Sequence, residues 1–168
     1  LGNLLPDTRL GAEKAISHFW SPEGGENIAR APKLSCFLDK YGHRLDEPVI
    51  LGYYAHLYLD ERYVDGYWPK ILVFEDEKGR PEPRREFIHQ VRLKQNGRLI
   101  PFQEFFSSEY YYGDYTRSNH WLVERYHIRA PKYRHLENVN MDEVDASKLY
   151  EVLEELQCIC HKGRAGDE

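Results

Sequence analysis

Apolar residues recur at helical spacing along much of the chain, and runs of glycine and proline separate them. Leu1 to Asp7 is a short apolar segment ending in Pro-Asp, and Asp7-Thr8 can cap a helix over residues 8–19. Ser21-Pro22-Glu23-Gly24-Gly25 breaks the pattern. From Glu26 to Tyr41 the positions Ile28, Ala31, Leu34, Phe37, Leu38 and Tyr41 lie near helical spacing. Pro32 places the start of the continuous helix there, and Gly42 closes it. Asp46-Glu47-Pro48 opens the next helix, over about 47–67. Its apolar content is nearly continuous from Val49 to Leu59, which marks a central, buried helix. Residues 75–86 read as a charged loop. Asn96-Gly97, flanked by alternating residues from Val91 to Ile100, predicts a β-hairpin within 87–102. Tyr110 to Tyr126 reads as a helix and 130–142 as irregular. An amphipathic helix over 147–160 carries Leu149, Val152, Leu153, Leu156 and Ile159. The pattern predicts a mainly α, helical bundle-like single domain over 1–168, with a small β-hairpin inserted.

Composition narrows the class. The 168 residues fit one domain, and a domain of that size needs no disulfide staples. Three cysteines, Cys36, Cys158 and Cys160, are too few for a secreted disulfide framework. The formal charge is −5, and the basic cluster of Arg80, Arg84 and Arg85 is diluted by Glu82 and Glu86, so no nucleic-acid footprint stands out. No run approaches the roughly 18 apolar residues of a membrane span, and there is no basic-then-apolar signal segment. A cytoplasmic protein is expected. The chain begins at Leu1 without a methionine, as a trimmed segment would. The 14% aromatic content, mostly from 13 tyrosines, is compatible with a homodimer surface.

Chemistry concentrates on the central helix. His56 and Asp60 are four residues apart, so both side chains fall on one face, one turn apart. Imidazole and carboxylate together suit zinc, manganese or iron(II). A buried carboxylate is costly without a partner, and the pair can also satisfy itself by hydrogen bonding without any metal. Asp7 after its proline and His18 at the end of a predicted helix are two further ligand-type residues at element ends. The tyrosines 53, 54, 110, 111, 112 and 115 either line a pocket or pack with a satisfied hydroxyl. His120, His127 and His135 read as surface residues by default. Cys158-Ile159-Cys160-His161 lacks a second ligand pair and reads as a helix end more readily than as a zinc clip.

The stretch Leu1-Gly2-Asn3-Leu4-Leu5-Pro6-Asp7, then Ser17-His18-Phe19, then Gly52-Tyr53-Tyr54-Ala55-His56-Leu57-Tyr58-Leu59-Asp60 resembles the zinc-dependent phospholipase C/D-like domain of bacterial proteins. That grouping is distantly related to zinc phospholipase C and the P1-type nucleases. The resemblance covers about the first 65 residues and rests on three short motifs in order. It implies an α-helical bundle-like fold with Asp7, His18, His56 and Asp60 as metal ligands, zinc being the first expectation and manganese or iron the next. Members of the family carry a further N-terminal helix with a histidine, which would precede Leu1. The characterised relatives hold three zinc ions on more ligands, so four candidates here imply one metal, or at most two.

A bound divalent ion lowers the pKa of its water to about 7 and polarises a phosphoryl or acyl oxygen. The expected function is therefore a metal-dependent hydrolase acting on a small-molecule phosphoester. Asp114 and Glu61 are the candidates for the catalytic base; Glu61 points roughly 100° away from its neighbour Asp60 on the helix, which favours Asp114. The alternative is a non-catalytic binding or regulatory domain that keeps the scaffold with a structural metal or none. An HD-type phosphohydrolase needs adjacent His-Asp, and Leu57 follows His56 here.

Overall fold

The computed structural model describes residues 1–132 and 139–162. The chain opens with a 3-10 turn, Gly2–Thr8, and a second short turn, Gly11–Glu13, leads into α1 (Lys14–Ser17). The continuous helix expected over 8–19 is thus reduced to one turn. Gly11 sits at φ +58°, a left-handed conformation that resets the chain direction and ends any helix begun at Thr8. Phe19, at φ +51°, then turns the chain away immediately after His18.

Helix α2 (Leu34–Tyr41) starts later than Pro32. Lys33 N donates to Phe19 O, and Trp20 bridges Pro32. Ile28 N donates to Pro83 O. These partners hold residues before Leu34 in extended form and take the amides a helix would use. Gly42 does not close α2 as a left-handed cap; its φ is −58°, and it enters another 3-10 turn, Gly42–Arg44.

Helix α3 (Pro48–Glu61) is the central helix the pattern predicted, with Pro48 in its first turn. It runs on through a widened π turn, Arg62–Tyr67, into α4 (Trp68–Ile71). Pro69 has no N–H to offer, so a helix that continues through it must shift its bonding, and the π turn does so. The first core gathers on α3: Leu5, Phe37, Tyr41, Ile50, Tyr53, Leu57, Met141 and Leu149 are all buried in one cluster. Each fully buried side chain of this kind contributes about 1.5–3 kcal/mol.

The expected hairpin is present as β2 (Gln90–Leu93) and β3 (Leu99–Pro101), paired antiparallel with Val91 opposite Ile100. Gly97 supplies the left-handed turn at φ +71°. A strand that periodicity did not reveal, β1 (Leu72–Glu75), joins it in the order β1-β2-β3. The charged loop 75–86 is the β1–β2 connection. Buried Glu75 is matched there by Arg92 Nε at 2.7 Å and Gln90 Nε2 at 2.9 Å.

The sheet, α5 (Phe102–Phe105) and the start of α6 (Tyr111–Tyr126) enclose a second core around Trp68, Leu72, Phe74, Val91, Ile100 and Phe105. The chain closes with α7 (Leu149–Lys162), whose Leu149 returns to the first core. The molecule is mainly α with a small antiparallel sheet. Among the described residues no helix is long and apolar enough to cross a membrane.

Candidate metal centre

The contact between the first turn and α3 builds the site. A Cβ on Gly2 would stand 2.2 Å from Val49 O, and one on Gly52 would stand 3.0 Å from Gly2 Cα. Two bare backbones therefore meet here, and only glycine permits that approach. The contact lays Gly2–Thr8 along α3, so that Asn3 O reaches His56 Nδ1 at 2.8 Å and Asp7 faces the same turn of the helix. His18 arrives from the end of α1. Tyr53 anchors that end by donating its hydroxyl to Ser17 O at 2.6 Å.

Asp7, His18 and His56 each bring one ligand atom to within 4.8 Å of the others. Asp7 approaches His18 Nε2 through Oδ1 at 3.7 Å and His56 Nε2 through Oδ2 at 4.0 Å. Asp60 stands outside that triad yet reaches both imidazoles, with Oδ2 at 3.7 Å from His18 Nε2 and 3.4 Å from His56 Nε2. These separations exceed a good hydrogen bond. Donor atoms held about 2.0–2.1 Å from a tetrahedral ion stand about 3.3–3.4 Å apart; the His56–Asp60 spacing of 3.4 Å matches that of a closed shell, and the other three, at 3.7, 3.7 and 4.0 Å, lie outside it. Asp7, His18 and His56 could hold a metal ion.

Both imidazoles present Nε2 to the cluster because Nδ1 is engaged elsewhere. His56 Nδ1 is held by the Asn3 carbonyl, and His18 Nδ1 lies 3.1 Å from Ser17 Oγ. An acceptor behind a ring nitrogen fixes tautomer and orientation, the usual support for a metal-binding histidine. The His18 side chain is 5% exposed and that of His56 17%, against 37% and 40% for Asp7 and Asp60. The imidazoles form the inner wall and the carboxylates face the solvent side. Lys14 Nζ sits 2.9 Å from Asp7 Oδ1. The Trp20 ring lies 5.5 Å from that of His18 and carries the Arg30 guanidinium 4.1 Å above it.

Burial, reinforced by the neighbouring His56, pushes the His18 imidazole down to about 4. Burial also acts downward on His56, but the Asp60 and Asp7 carboxylates outweigh it and raise the imidazole above its ordinary value. Asp7 is lowered: burial opposes ionisation, and the Lys14 ammonium and both imidazoles overcome it.

The other sequence candidates lie elsewhere. Asp114, on α6, pairs with Arg117 and lines a cavity with Tyr110, Tyr111 and Tyr115. Glu61 ends α3. Among the described residues no hydrogen bond or ion pair joins either of them to the four. Tyr53 packs in the first core, Tyr54 lies against it, and Tyr112 is exposed. His120 faces Glu124 at 3.4 Å, His127 is the left-handed cap of α6, and His135 lies outside the described residues. Cys158 is exposed and Cys160 buried, both free; the side chain of His161 lies outside the described residues.

Sequence reasoning missed Lys14, Ser17, Asn3 and Arg30. Lys14 stands four residues before His18, a spacing that points to one face; Asn3 acts through its backbone and leaves no signal in the sequence. No protein-family model, no curated protein and no solved structure matches the chain.

Proposed function

We propose that the protein is a metal-dependent hydrolase of phosphoesters, with one divalent ion, zinc first, held by Asp7, His18, His56 and Asp60. The observation that carries the proposal is that Asp7, His18 and His56, from three separate segments, bring ligand atoms within 4.8 Å of one another, with Asp60 Oδ2 beside both imidazoles. Two nitrogen and two oxygen donors suit zinc, with manganese or iron(II) as the alternatives. The likeness of the three motifs to the zinc-dependent phospholipase C/D-like domain supports the reaction class. When bound, the ion would supply a Lewis acid and a water of lowered pKa.

The chain's own residues complete the reading. Asp60 turns Oδ2 to the imidazoles, and on this reading its second oxygen, on a carboxylate 40% exposed, takes the proton. This moves the base from Asp114 and Glu61 to Asp60. The ammonium of Lys14 brings positive charge to the site's edge, which suits an anionic phosphoryl group.

One observation favours the alternative of a non-catalytic domain. The Lys14–Asp7 bond already neutralises one carboxylate, and both imidazoles already have a hydrogen-bond partner at Nδ1, so three of the four groups are engaged without any ion. Elemental analysis of protein purified without chelator or nickel resin decides between them. One equivalent of zinc, manganese or iron in the wild type, lost in His56→Ala, is expected, together with metal-dependent turnover of mono- and bis-p-nitrophenyl phosphate. Metal-free wild type that takes up no added zinc would leave the network reading; bound metal with no turnover of either ester would leave a structural site.

A further inference from the structure

Asp114 leads to a second site, independent of the metal. A cavity of about 400 Å³ opens between the sheet, the π turn after α3, and α6. That volume is in the range of small-molecule pockets. Its aromatic walls are Tyr63, Tyr67, Trp68, Tyr111 and Tyr115, backed by apolar strand residues. The rings already interlock: Tyr63 stacks on Tyr67 at 5.5 Å, Trp68 meets Tyr111 edge-on at 6.0 Å, and Tyr111 lies 5.1 Å from Tyr115. These ring contacts brace the cavity walls against one another. Tyr67 and Tyr115 are 49% and 46% exposed, so apolar ring surface stays open beside it.

The charge of the lining selects the occupant. Among the lining residues Asp114 is the only one that carries a full charge at neutral pH. Tyrosine and tryptophan faces carry negative quadrupoles and attract cations. The cations beside the lining are already engaged, Arg98 on Tyr110 and Arg117 on Asp114, which leaves aromatic faces and one exchangeable carboxylate to meet an occupant. We propose that this cavity binds small arylalkylammonium ions, with the aryl ring against Tyr67 and Tyr115 and the ammonium on the Asp114 carboxylate. Arg117 pairs with that carboxylate from the next turn of α6. It acts as the resident competitor that an incoming ammonium displaces.

The competition gives a test with two signs. Phenethylammonium and its neutral analogue 2-phenylethanol are titrated into the full chain, and the indole N–H resonance of Trp68 is followed, with Trp20 and Trp121 as controls outside the cavity. The ammonium is expected to shift Trp68 and to bind about tenfold tighter than the alcohol. Asp114→Asn should erase that preference. Arg117→Gln should strengthen ammonium binding about threefold by freeing the carboxylate. Both side chains are well exposed, so neither change threatens the fold. Equal affinity for the two probes, a preference that survives Asp114→Asn, or a Trp68 signal unmoved by the ammonium would each overturn the proposal.

Discussion

The two histidines of the metal cluster are displaced in opposite directions by the same surroundings. His18 is the deeper, and burial together with the nearby His56 holds it neutral down to about pH 4. His56 keeps its proton to higher pH because two carboxylates face it. In the metal-free protein His18 therefore contributes stability that is present above its unfolded value of about 6.5 and is lost as pH falls toward 4. His56 works the other way: its contribution is complete below about 6.5 and disappears as pH rises through its raised value. An ion can bind only after the His56 proton leaves. Zinc affinity should accordingly fall by about tenfold per pH unit below the raised His56 value and level off above it. Calorimetric titrations from pH 5.5 to 8.5 check this; an affinity independent of pH would show that no site proton is displaced. At this scale the ligand types were legible. The spacing of His56 and Asp60 announced a shared face, and the Pro-Asp and His-Phe motifs pointed to Asp7 and His18, which the fold brings beside them. The groups that orient them were hidden, because Asn3 acts through a carbonyl and Lys14 through a tertiary approach.

Among the elements, the contact of the first turn with α3 matters most, since it alone brings Asn3 and Asp7 to His56. Gly52→Ala would place a methyl 3.0 Å from both Gly2 Cα and Asn3 N. Backbone cannot yield as a side chain tip would, so a destabilisation of about 1–3 kcal/mol is expected, with weaker metal binding. Gly66→Ala, in the π turn with nothing within 4 Å of the added carbon, is the control and should be neutral or slightly stabilising. Urea unfolding of the two variants against the wild type measures the difference; similar losses in both would mean that the Gly2–Gly52 contact is not what holds the turn. Element identity was readable where periodicity was long, as in α3, α6 and α7, and at Asn96-Gly97. It was not readable where tertiary partners overrode it. Gly11 and Phe19 cut the first helix to one turn, residues before Leu34 gave their amides to Phe19 and Pro83, and the four residues of β1 were too few to show alternation.

Across the described residues two cores stand out, joined by the helical run from Pro48 to Ile71. The candidate ligands Asp7, His56 and Asp60 lie on elements that carry the first core, and His18 precedes Phe19, which packs against it. The second core is an aromatic assembly around the sheet. Metal binding should therefore act on one core in preference to the other. With zinc added, amide hydrogen exchange should slow in α1 and in α3 and remain as it was in β2 and β3. Equal slowing in both would show that the two cores open as a single unit.

Lys14 gives the metal-free state a property of its own. Because its ammonium already rests on Asp7, removal of the ion exposes no bare acidic pair to repel itself. One carboxylate of the cluster thus already has a cation beside it, 2.9 Å away. On the proposed reading an incoming ion must therefore compete with the Lys14 ammonium for Asp7, and that competition weakens the site.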